Sequence, residues 1–572
     1  MSAREIITLQ IGQYSNYIGT HWWNLQESTF VYDSKLLEEH PKEVNHDVLY
    51  REGKTLKGDV TYTPRLVLFD LNNSLGTLKK DGTLYDFGAE ENINWLGDVT
   101  LHQAPGINKN KFLKDLDEEF ENYRGEDGYK LRKGDDDETD EIETRQECSA
   151  VKVEDPVFGK KYYNLDNDVH VWSDYMHTAL HPRSIFLLKD HQHNNPETPF
   201  NIFGLGQQVS RDREQWDEIE DRVRYFTEEC DQLQGFHILL DSHNAFGGLA
   251  SSILSYLSDE YSSKSRLSFA VTPAQPPDKN AAERSARLLN SALSLCDCSE
   301  SSSLYIPLSL ASTLWKAVGA PCKFPHLQYK AHLDYHTSAI LAASLDTTTM
   351  PYRKEKEPGR ISDLTSSFSM IGRKVSALYT SLPYHIQTGS SFAESLIEHK
   401  GSQPWCSVTP HVKNSSNPWF QSCVVRGISP RMQKSESQHR GSALHFSPST
   451  SVHDIIKQYL SEMYPDTQNA GFVLRDGINV GAPFPHIFAP YVNYQGLITD
   501  SNRFPFSGVE TAPIVTSLQS NAEIRCYIDS LESTVSKFNL ARHQHFIDAG
   551  LEPEEFAESI NSLKDLAQCY KN

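Results

Sequence analysis

The sequence comprises 572 residues, enough for two or three packed domains, because single domains usually hold about 100 to 200 residues. With 54 Lys and Arg against 76 Asp and Glu, the net charge of −22 argues against nucleic-acid binding and against direct attachment to an anionic lipid surface. The nine cysteines show no disulfide-type spacing and no apolar run approaches the ~20 residues of a membrane helix, so we expect reduced thiols and only peripheral membrane contact.

The chain opens with a pattern that predicts a strand, a tight loop and a helix. An apolar run at Ile6–Ile11 leads through Gly12–Asn16 into Ile18, Trp22 and Trp23, which recur at near-helical spacing. Backbone N–H groups at a helix N-terminus bind phosphate because they lack partners within the helix and the helix dipole adds positive charge. The loop is therefore a candidate phosphate site, and a turn retained for packing is the alternative.

Strands and helices alternate further along the chain. Apolar runs predict strands at Leu66–Leu71, 184–188, 236–240 and 267–271, and helices with an apolar stripe lie on either side of the third of these. Gly204–Gly206 begins a GxGxxG pattern that lacks its third glycine, so we predict a loop there. Alternating strands and helices form parallel sheets, and the predicted fold class is α/β.

Two stretches without periodicity divide the chain. Acidic residues crowd the first, around Asp135–Glu138, which is typical of a solvated loop, and the second is rich in Ser, His, Arg and Pro. Two helical stripes, beginning at Ile524 and Phe556, close the sequence. We predict a parallel-sheet domain at 1–124 and 171–330 with an acidic insertion at 125–170, a core helix and intermediate domain at 331–427, a flexible loop at 428–452, and the end of the intermediate domain with C-terminal helices at 453–572.

Blocks spread over nearly the whole chain resemble tubulin in order and spacing. They are Arg4–Ile6 with Gln10–Gln13, Tyr62–Arg65 with Asp70–Leu71, Cys230–Phe236, and Phe546–Leu566. Within that superfamily, Trp22–Trp23, Asp47–Arg51 and His181–Ser184 resemble the Misato family of divergent tubulin-like proteins. The resemblance implies a tubulin-like α/β fold, in which a parallel-sheet domain of the nucleotide-binding type is followed by an α+β intermediate domain and C-terminal helices.

The resemblance also implies where a nucleotide would bind, with GTP or GDP as the cofactor. In tubulin one loop, one residue after the second strand and a glycine-rich loop surround the phosphates and magnesium. The corresponding residues in this chain are Gly12, Gln13, Tyr14, Asn16, Asn72, Gly247 and Gly248. The sequence itself offers no Cys and His set with the spacing of a metal site.

The residues that hydrolysis requires are altered. Tubulin's GGGTGSG signature is replaced within Ser242–Gly248, where His243 and Phe246 add bulk and lose easy access to positive φ. Asn72 stands where tubulin has its magnesium-coordinating acid, and its amide offers an oxygen ligand without charge. Ser366 stands where tubulin has its catalytic acid. We expect no efficient GTP hydrolysis and no filaments, and the site either is reshaped or holds no triphosphate.

The Misato resemblance implies a non-enzymatic regulator of mitochondrial distribution and morphology, including network fusion, acting from the cytoplasm and the outer mitochondrial surface. Its expected partners are proteins of the mitochondrial-dynamics machinery. Two alternatives stay open: a guanine-nucleotide switch without efficient hydrolysis, and a tubulin-biogenesis factor working with tubulin and the cytosolic chaperonin in spindle assembly. The first thirty residues, with Glu5 and Glu27 against Arg4, are typical of neither a secretory signal nor a transit peptide, so we expect a cytoplasmic location.

Overall fold

The computed structural model describes residues 4–30, 42–54, 60–82, 107–126, 161–276, 280–398, 403–415, 417–428 and 451–571. Most of the predicted acidic insertion, at 127–160, lies outside these residues, and so does most of the predicted flexible loop, at 429–450. The domain boundaries proposed from the sequence stay predictions.

A six-stranded sheet forms the centre of the first half of the chain. Its strands are β1 Ile6–Ile11, β4 Leu66–Asn72, β5 Ile185–Gln192, β6 Gly235–Asp241, β7 Ser265–Val271 and β8 Leu304–Leu308, and a hairpin of β2 Tyr50–Lys54 and β3 Val60–Pro64 precedes β4. The order is β5-β4-β1-β6-β7-β8, and every neighbouring pair is parallel. The carboxyl ends of β4, β1 and β6 therefore meet at one edge of the sheet.

Helices cover both faces of this sheet. Alternate residues of β1 explain why, since Ile7, Leu9 and Ile11 enter one core whereas Ile6 enters the other. The core on the Ile6 side receives side chains from α1 Gln13–Glu27, α2 Lys111–Glu126 and α7 Asp334–Thr348, and the opposite core receives them from α3 Phe203–Gln208, α4 Arg213–Glu228, α5 Phe246–Glu260 and α6 Ala281–Ser301. Both faces are apolar, which makes a buried parallel sheet the stable arrangement.

A second sheet of five strands follows α7. Its strands are β9 Ala377–Ser381, β10 Cys406–Ser407, β11 Phe420–Arg426, β12 Gln468–Leu474 and β15 Ile514–Ser520, in the order β10-β9-β15-β11-β12. β11 and β12 are parallel and the other pairs are antiparallel. Because α7 packs against α1 on one side and against β11 and β15 on the other, it joins the two sheets.

The later helices and one small strand pair complete the described architecture. The pair consists of β13 Ile478–Asn479 and β14 Thr511–Ala512. The helices are α8 Ile361–Phe368, α9 Phe392–Glu398, α10 Val452–Met463, α11 Ile524–Val535, α12 Gln544–Asp548 and α13 Pro553–Gln568. Within the described ranges, no helix combines the length and the apolar character that crossing a bilayer requires.

The predicted strands and the two C-terminal helices are confirmed, with ends that differ by a few residues. The loop predicted at Gly204–Gly206 is wrong, because these residues belong to α3. Their function is close helix packing: a Cβ on Gly206 would lie 1.8 Å from the carbonyl oxygen of Ala245, and one on Gly248 would lie 1.9 Å from that of Phe203. The glycines let α3 and α5 approach each other, which a search for phosphate loops does not detect.

A buried ion cluster links α1, α7 and β11. The carboxylate of Asp346 on α7 accepts hydrogen bonds from Arg353 (2.8 Å), from Arg426 at the end of β11 (2.5 Å) and from the indole of Trp22 (3.1 Å). Burial by itself would raise the pKa of Asp346, but the two guanidinium groups hold that pKa below its ordinary value. The cluster stabilises the fold only while every partner is present, since an isolated buried charge is costly.

Replacing Asp346 by Asn should therefore destabilise the protein strongly. Two buried guanidinium groups would lose their counter-charge, and we expect the free energy of unfolding to fall by about 3 to 5 kcal/mol. Urea unfolding followed by tryptophan fluorescence measures the change. The matched control is Asp529→Asn, which removes a half-exposed ion pair with Arg525 and should cost less than about 1 kcal/mol. Equal unfolding midpoints for the two variants would contradict the role assigned to the cluster.

Candidate functional site

The candidate site lies at the edge where β1, β4 and β6 end. Gly12 follows β1, Asp70 stands near the end of β4, and Asp241 is the last residue of β6. The two carboxyl groups are completely buried. Ligands of open parallel sheets bind beyond the carboxyl ends of the strands, so a nucleotide would be expected at this edge.

Asp241 occupies the N-terminus of α1. Its carboxylate accepts hydrogen bonds from the backbone N–H groups of Tyr14 (3.1 Å) and Ser15 (2.8 Å), and the side chain of Asn244 donates a longer one at 3.4 Å. Burial raises the pKa of Asp241 to about 7, the hydrogen-bond donors oppose that rise, and the neighbouring charge of Asp70 adds to it. A carboxylate of the protein thus takes the amides that a phosphate would use.

The approach of Asp241 explains the glycine at position 12. Gly12 has a φ of +116°, which favours glycine, and a Cβ at this position would lie 2.6 Å from Cγ of Asp241. Any larger residue would push the carboxylate away from the helix N-terminus. Gly12 is therefore required for a close approach, and the group that approaches is Asp241.

The Asp70 carboxyl group anchors the first turns of α1 from the other side. It accepts hydrogen bonds from the side chain of Asn16 (3.0 Å), the indole of Trp172 (2.7 Å) and the backbone N–H of Leu71 (2.8 Å). Burial raises its pKa, and these donors partly oppose the rise. Asn16 also donates to the carbonyl oxygen of Phe69, so its amide nitrogen serves the connection between α1 and β4.

The remaining predicted site residues, Tyr14, Gln13 and Asn72, make contacts with different parts of the protein. Tyr14 contributes its backbone N–H to the site, whereas its hydroxyl donates to Thr337 on α7, 2.9 Å away. Gln13 is half-buried, and its side-chain nitrogen lies 3.5 Å from a ring nitrogen of His193. Asn72 donates to two carbonyl oxygens of β5, those of Leu188 (2.8 Å) and Lys189 (3.0 Å). Gln13 and Asn72 thus lie at this edge, and the tyrosine ring does not.

The segment that replaces the glycine-rich loop caps its own helix. The side chain of Asn244 accepts from the N–H of Phe246 (3.0 Å) and its carbonyl accepts from the N–H of Gly247 (3.2 Å), while the N–H of Gly248 donates to Ala245 (2.9 Å). The first amides of α5 therefore already have partners within the loop.

The side chains of this loop are also directed into the protein. Phe246 is buried against Phe200, with ring centroids 4.9 Å apart, and Gly248 packs against α3 as described above. Gly247 faces Ser294 of α6, whose hydroxyl would lie 3.1 Å from an added Cβ. Packing between helices accounts for both glycines without a phosphate.

Ser366 lies far from this edge. It is exposed on α8, where its hydroxyl donates to the carbonyl of Asp363 within the helix. Helix α8 is held at the opposite end of the sheet, since Thr365 contacts Ser265 at the start of β7. A strand of seven residues spans roughly 23 Å, so one copy of the chain cannot bring Ser366 to Gly12.

Asp241 is the principal residue that the sequence reasoning missed. Its signal is visible in retrospect: Phe236–Leu240 is an apolar run that ends in an acid directly before a loop, as Leu66–Phe69 is followed by Asp70. Among the residues that the structure describes, no three His, Cys, Asp or Glu side chains are grouped so as to hold a metal ion. In the present arrangement the α1 amides face a carboxylate, which a triphosphate would have to displace.

Comparison with known proteins covers the whole length of the chain. Two family models match, a Misato Segment II tubulin-like domain over residues 4–118 and a tubulin domain over residues 164–354. Protein misato homolog 1 of Homo sapiens is 35% identical to this chain, and the alignment covers 100% of this chain and 98% of the human protein. Protein misato homolog 1 of Danio rerio is 33% identical, with 100% of this chain and 97% of the zebrafish protein covered. Protein misato of Drosophila melanogaster is 27% identical, with 99% of this chain and 98% of the Drosophila protein covered.

The raised pKa of Asp241 predicts a pH-dependent contribution to stability. Between about pH 4 and pH 7 the carboxyl is ionised in the unfolded chain and protonated in the folded one, so the free energy of unfolding falls as the pH rises through this window. The variant Asp241→Asn does not titrate. Its stability relative to the unmodified protein should therefore increase by a few kcal/mol from pH 4 to pH 7, because each pKa unit corresponds to about 1.4 kcal/mol.

Urea unfolding at several pH values measures this difference. The control is Asp259→Asn, an exposed residue near the end of α5, whose pH profile should run parallel to that of the unmodified protein. A parallel profile for Asp241→Asn as well would show that the Asp241 carboxyl does not titrate in this window.

Proposed function

This chain belongs to the Misato family of tubulin-like proteins, and we propose that it is a non-enzymatic regulator of mitochondrial distribution and morphology. In this proposal it acts as an adaptor in the cytoplasm and at the cytosolic side of the outer mitochondrial membrane, which it contacts peripherally. Its partners are proteins of the machinery that remodels the mitochondrial network.

The position of Asp241 is the observation that carries the non-enzymatic part of this proposal. Phosphate binding at a helix N-terminus depends on N–H groups without partners, and Asp241 accepts from two of those on α1. With a pKa of about 7, the Asp241 carboxyl is partly ionised at neutral pH, and its ionised form would repel a triphosphate placed beside it by about 4 kcal/mol per pair of charges at 4 Å with an effective dielectric constant of 20. Binding of GTP to these amides would require the Asp241 carboxyl to leave them.

The environment of Ser366 supports the same conclusion for hydrolysis. A serine hydroxyl that donates within its own helix is a poor general base. Because Ser366 lies at the opposite end of the sheet from the first loop, it could reach such a loop only across a contact between two copies. Hydrolysis across a contact between two copies would therefore lack a carboxylate at the position that the resemblance assigns to the catalytic acid.

Nucleotide binding is the first test of this proposal. We expect no saturable heat when GTP or GDP is titrated with magnesium into the purified protein, and no stoichiometric guanine nucleotide in the denatured extract. Tubulin measured in the same buffer is the positive control. Stoichiometric bound nucleotide would refute the proposed nucleotide-free adaptor and favour a guanine-nucleotide switch.

Mitochondrial morphology is the second test. Acute depletion should fragment or cluster the network, and expression of the unmodified protein should restore it. The variant Gln13→Ala should restore it equally well, because Gln13 is half-buried and a scaffold does not need its amide for phosphate. An unchanged network after depletion would remove the mitochondrial role, and failure of Gln13→Ala alone would favour a nucleotide-dependent switch.

Near-stoichiometric tubulin or chaperonin in the purified complex would instead support a role in tubulin biogenesis.

A further inference from the structure

A small basic cavity lies at the end of β12, far along the chain from the site described above. It measures about 180 Å³, and Lys42, Lys354, Lys356 and Arg475 contribute to its lining together with Glu43. Four cationic side chains thus surround one acid in a protein whose net charge is −22. Such a concentration of positive charge requires an explanation, because dispersed charges of either sign would serve solubility equally well.

A backbone bridge brings together the two segments that carry three of these lysines. Val44 and Lys354 form an antiparallel bridge, in which the N–H of Asn45 donates to Arg353 (2.8 Å) and that of Glu355 donates to Glu43 (2.9 Å). Lys42 lies two residues before Val44, and Lys356 lies two residues after Lys354, so this bridge brings the two lysine-bearing segments side by side. Like charges held near one another repel, and an anion bound among them would offset that cost.

Glu43, the one acid that lines the cavity, already has hydrogen-bond partners. The carboxylate of Glu43 accepts hydrogen bonds from the backbone N–H groups of Arg475 (2.9 Å) and Asp476 (3.1 Å) and from the guanidinium of Arg475 (3.2 Å). It therefore neutralises Arg475 and fixes the turn after β12. Glu355 and Glu357 flank Lys356 in the sequence, but across the described ranges no carboxylate forms an ion pair with Lys42, Lys354 or Lys356, so these three ammonium groups can contact an anion.

The size and charge of the cavity favour a phosphoryl group. Cavities that enclose drug-sized ligands measure about 300 to 1,000 Å³, so this one suits a compact anion. A phosphorylated side chain carries a charge of about −1.5 to −2 at neutral pH and three acceptor oxygens, which several lysines can approach from different directions. A single carboxylate would neutralise fewer of the three charges.

The neighbouring strand favours a protein as the bearer of that group. In the described part of the chain β12 is the last strand on its side of the five-stranded sheet, and Val473 and Leu474 of β12 line the cavity. The outer edge of such a strand can pair with an extended segment of another protein. An anionic membrane is disfavoured, because the net charge of −22 would oppose its approach.

We propose that the cavity lined by Lys42, Lys354 and Lys356 binds a phosphorylated residue in an extended segment of a partner protein, which pairs with the outer edge of β12. This inference goes beyond the adaptor role, since it assigns the chemistry of a recognised partner. It also stands independently of mitochondria and of nucleotide binding, so that its test and theirs can fail separately.

Fluorescence anisotropy with the full-length protein tests the proposal. The probe is a labelled, strand-forming peptide of alternating Thr and Val with a central phosphoserine, and the same peptide with serine is the reference. We expect saturable binding of the phosphorylated probe that weakens as salt increases. The double variant Lys42→Ala/Lys356→Ala should lose at least about tenfold in affinity, which corresponds to 1.4 kcal/mol.

Two controls make the result specific. Lys79→Ala/Lys80→Ala removes the same charge from two exposed lysines outside the cavity and should leave the affinity unchanged. Lys354→Gln, a single change in the cavity, should weaken binding while leaving the thermal unfolding midpoint intact. Equal binding of the serine peptide, equal losses in both double variants, or capture of phosphatidylserine vesicles in preference to the peptide would each overturn the proposal.

Discussion

The hydrogen bonds between the Asp241 carboxylate and the first amides of α1 connect the two elements on which the rest of the site depends. They tie the end of β6 to the start of the helix that follows β1, and they require a glycine at position 12. An internal carboxylate satisfies helix amides that otherwise need water or a ligand. These two amides are thus satisfied within one chain, whereas at a phosphate site the ligand would satisfy them.

Opposing influences act on the pKa of the Asp241 carboxyl. It accepts donors that favour its ionised form, but its complete burial and the nearby Asp70 favour the protonated form, and the pKa of about 7 is the outcome. Asp70 is buried as deeply and is satisfied by Asn16 and Trp172. Both buried acids at this edge thus have raised pKa values, and their ionised forms would repel a triphosphate.

A second charged cluster holds the two sheets to one another. Asp346 lies on α7, which packs against both α1 and β11, and its partners are Trp22 on α1, Arg353 just after α7 and Arg426 at the end of β11. Trp22 therefore has a structural task at its indole nitrogen as well as in the core. The C-terminal part of the chain is fastened to the first helix by these contacts and by apolar packing.

The sequence alone determined the order of the elements, the parallel sheet and the resemblance to the Misato family, because apolar periodicity and local motifs are carried by neighbouring residues. The resemblance also grouped Gly12, Gln13 and Asn72, and these three residues lie at one edge of the sheet. The tertiary structure decided what those residues contact. Asp241 reaches α1 over more than 200 positions, Gly248 serves packing against α3, and a bridge between Val44 and Lys354 brings distant lysine-bearing segments together. Such pairings depend on how strands and helices are arranged in space, which spacing along the chain does not encode.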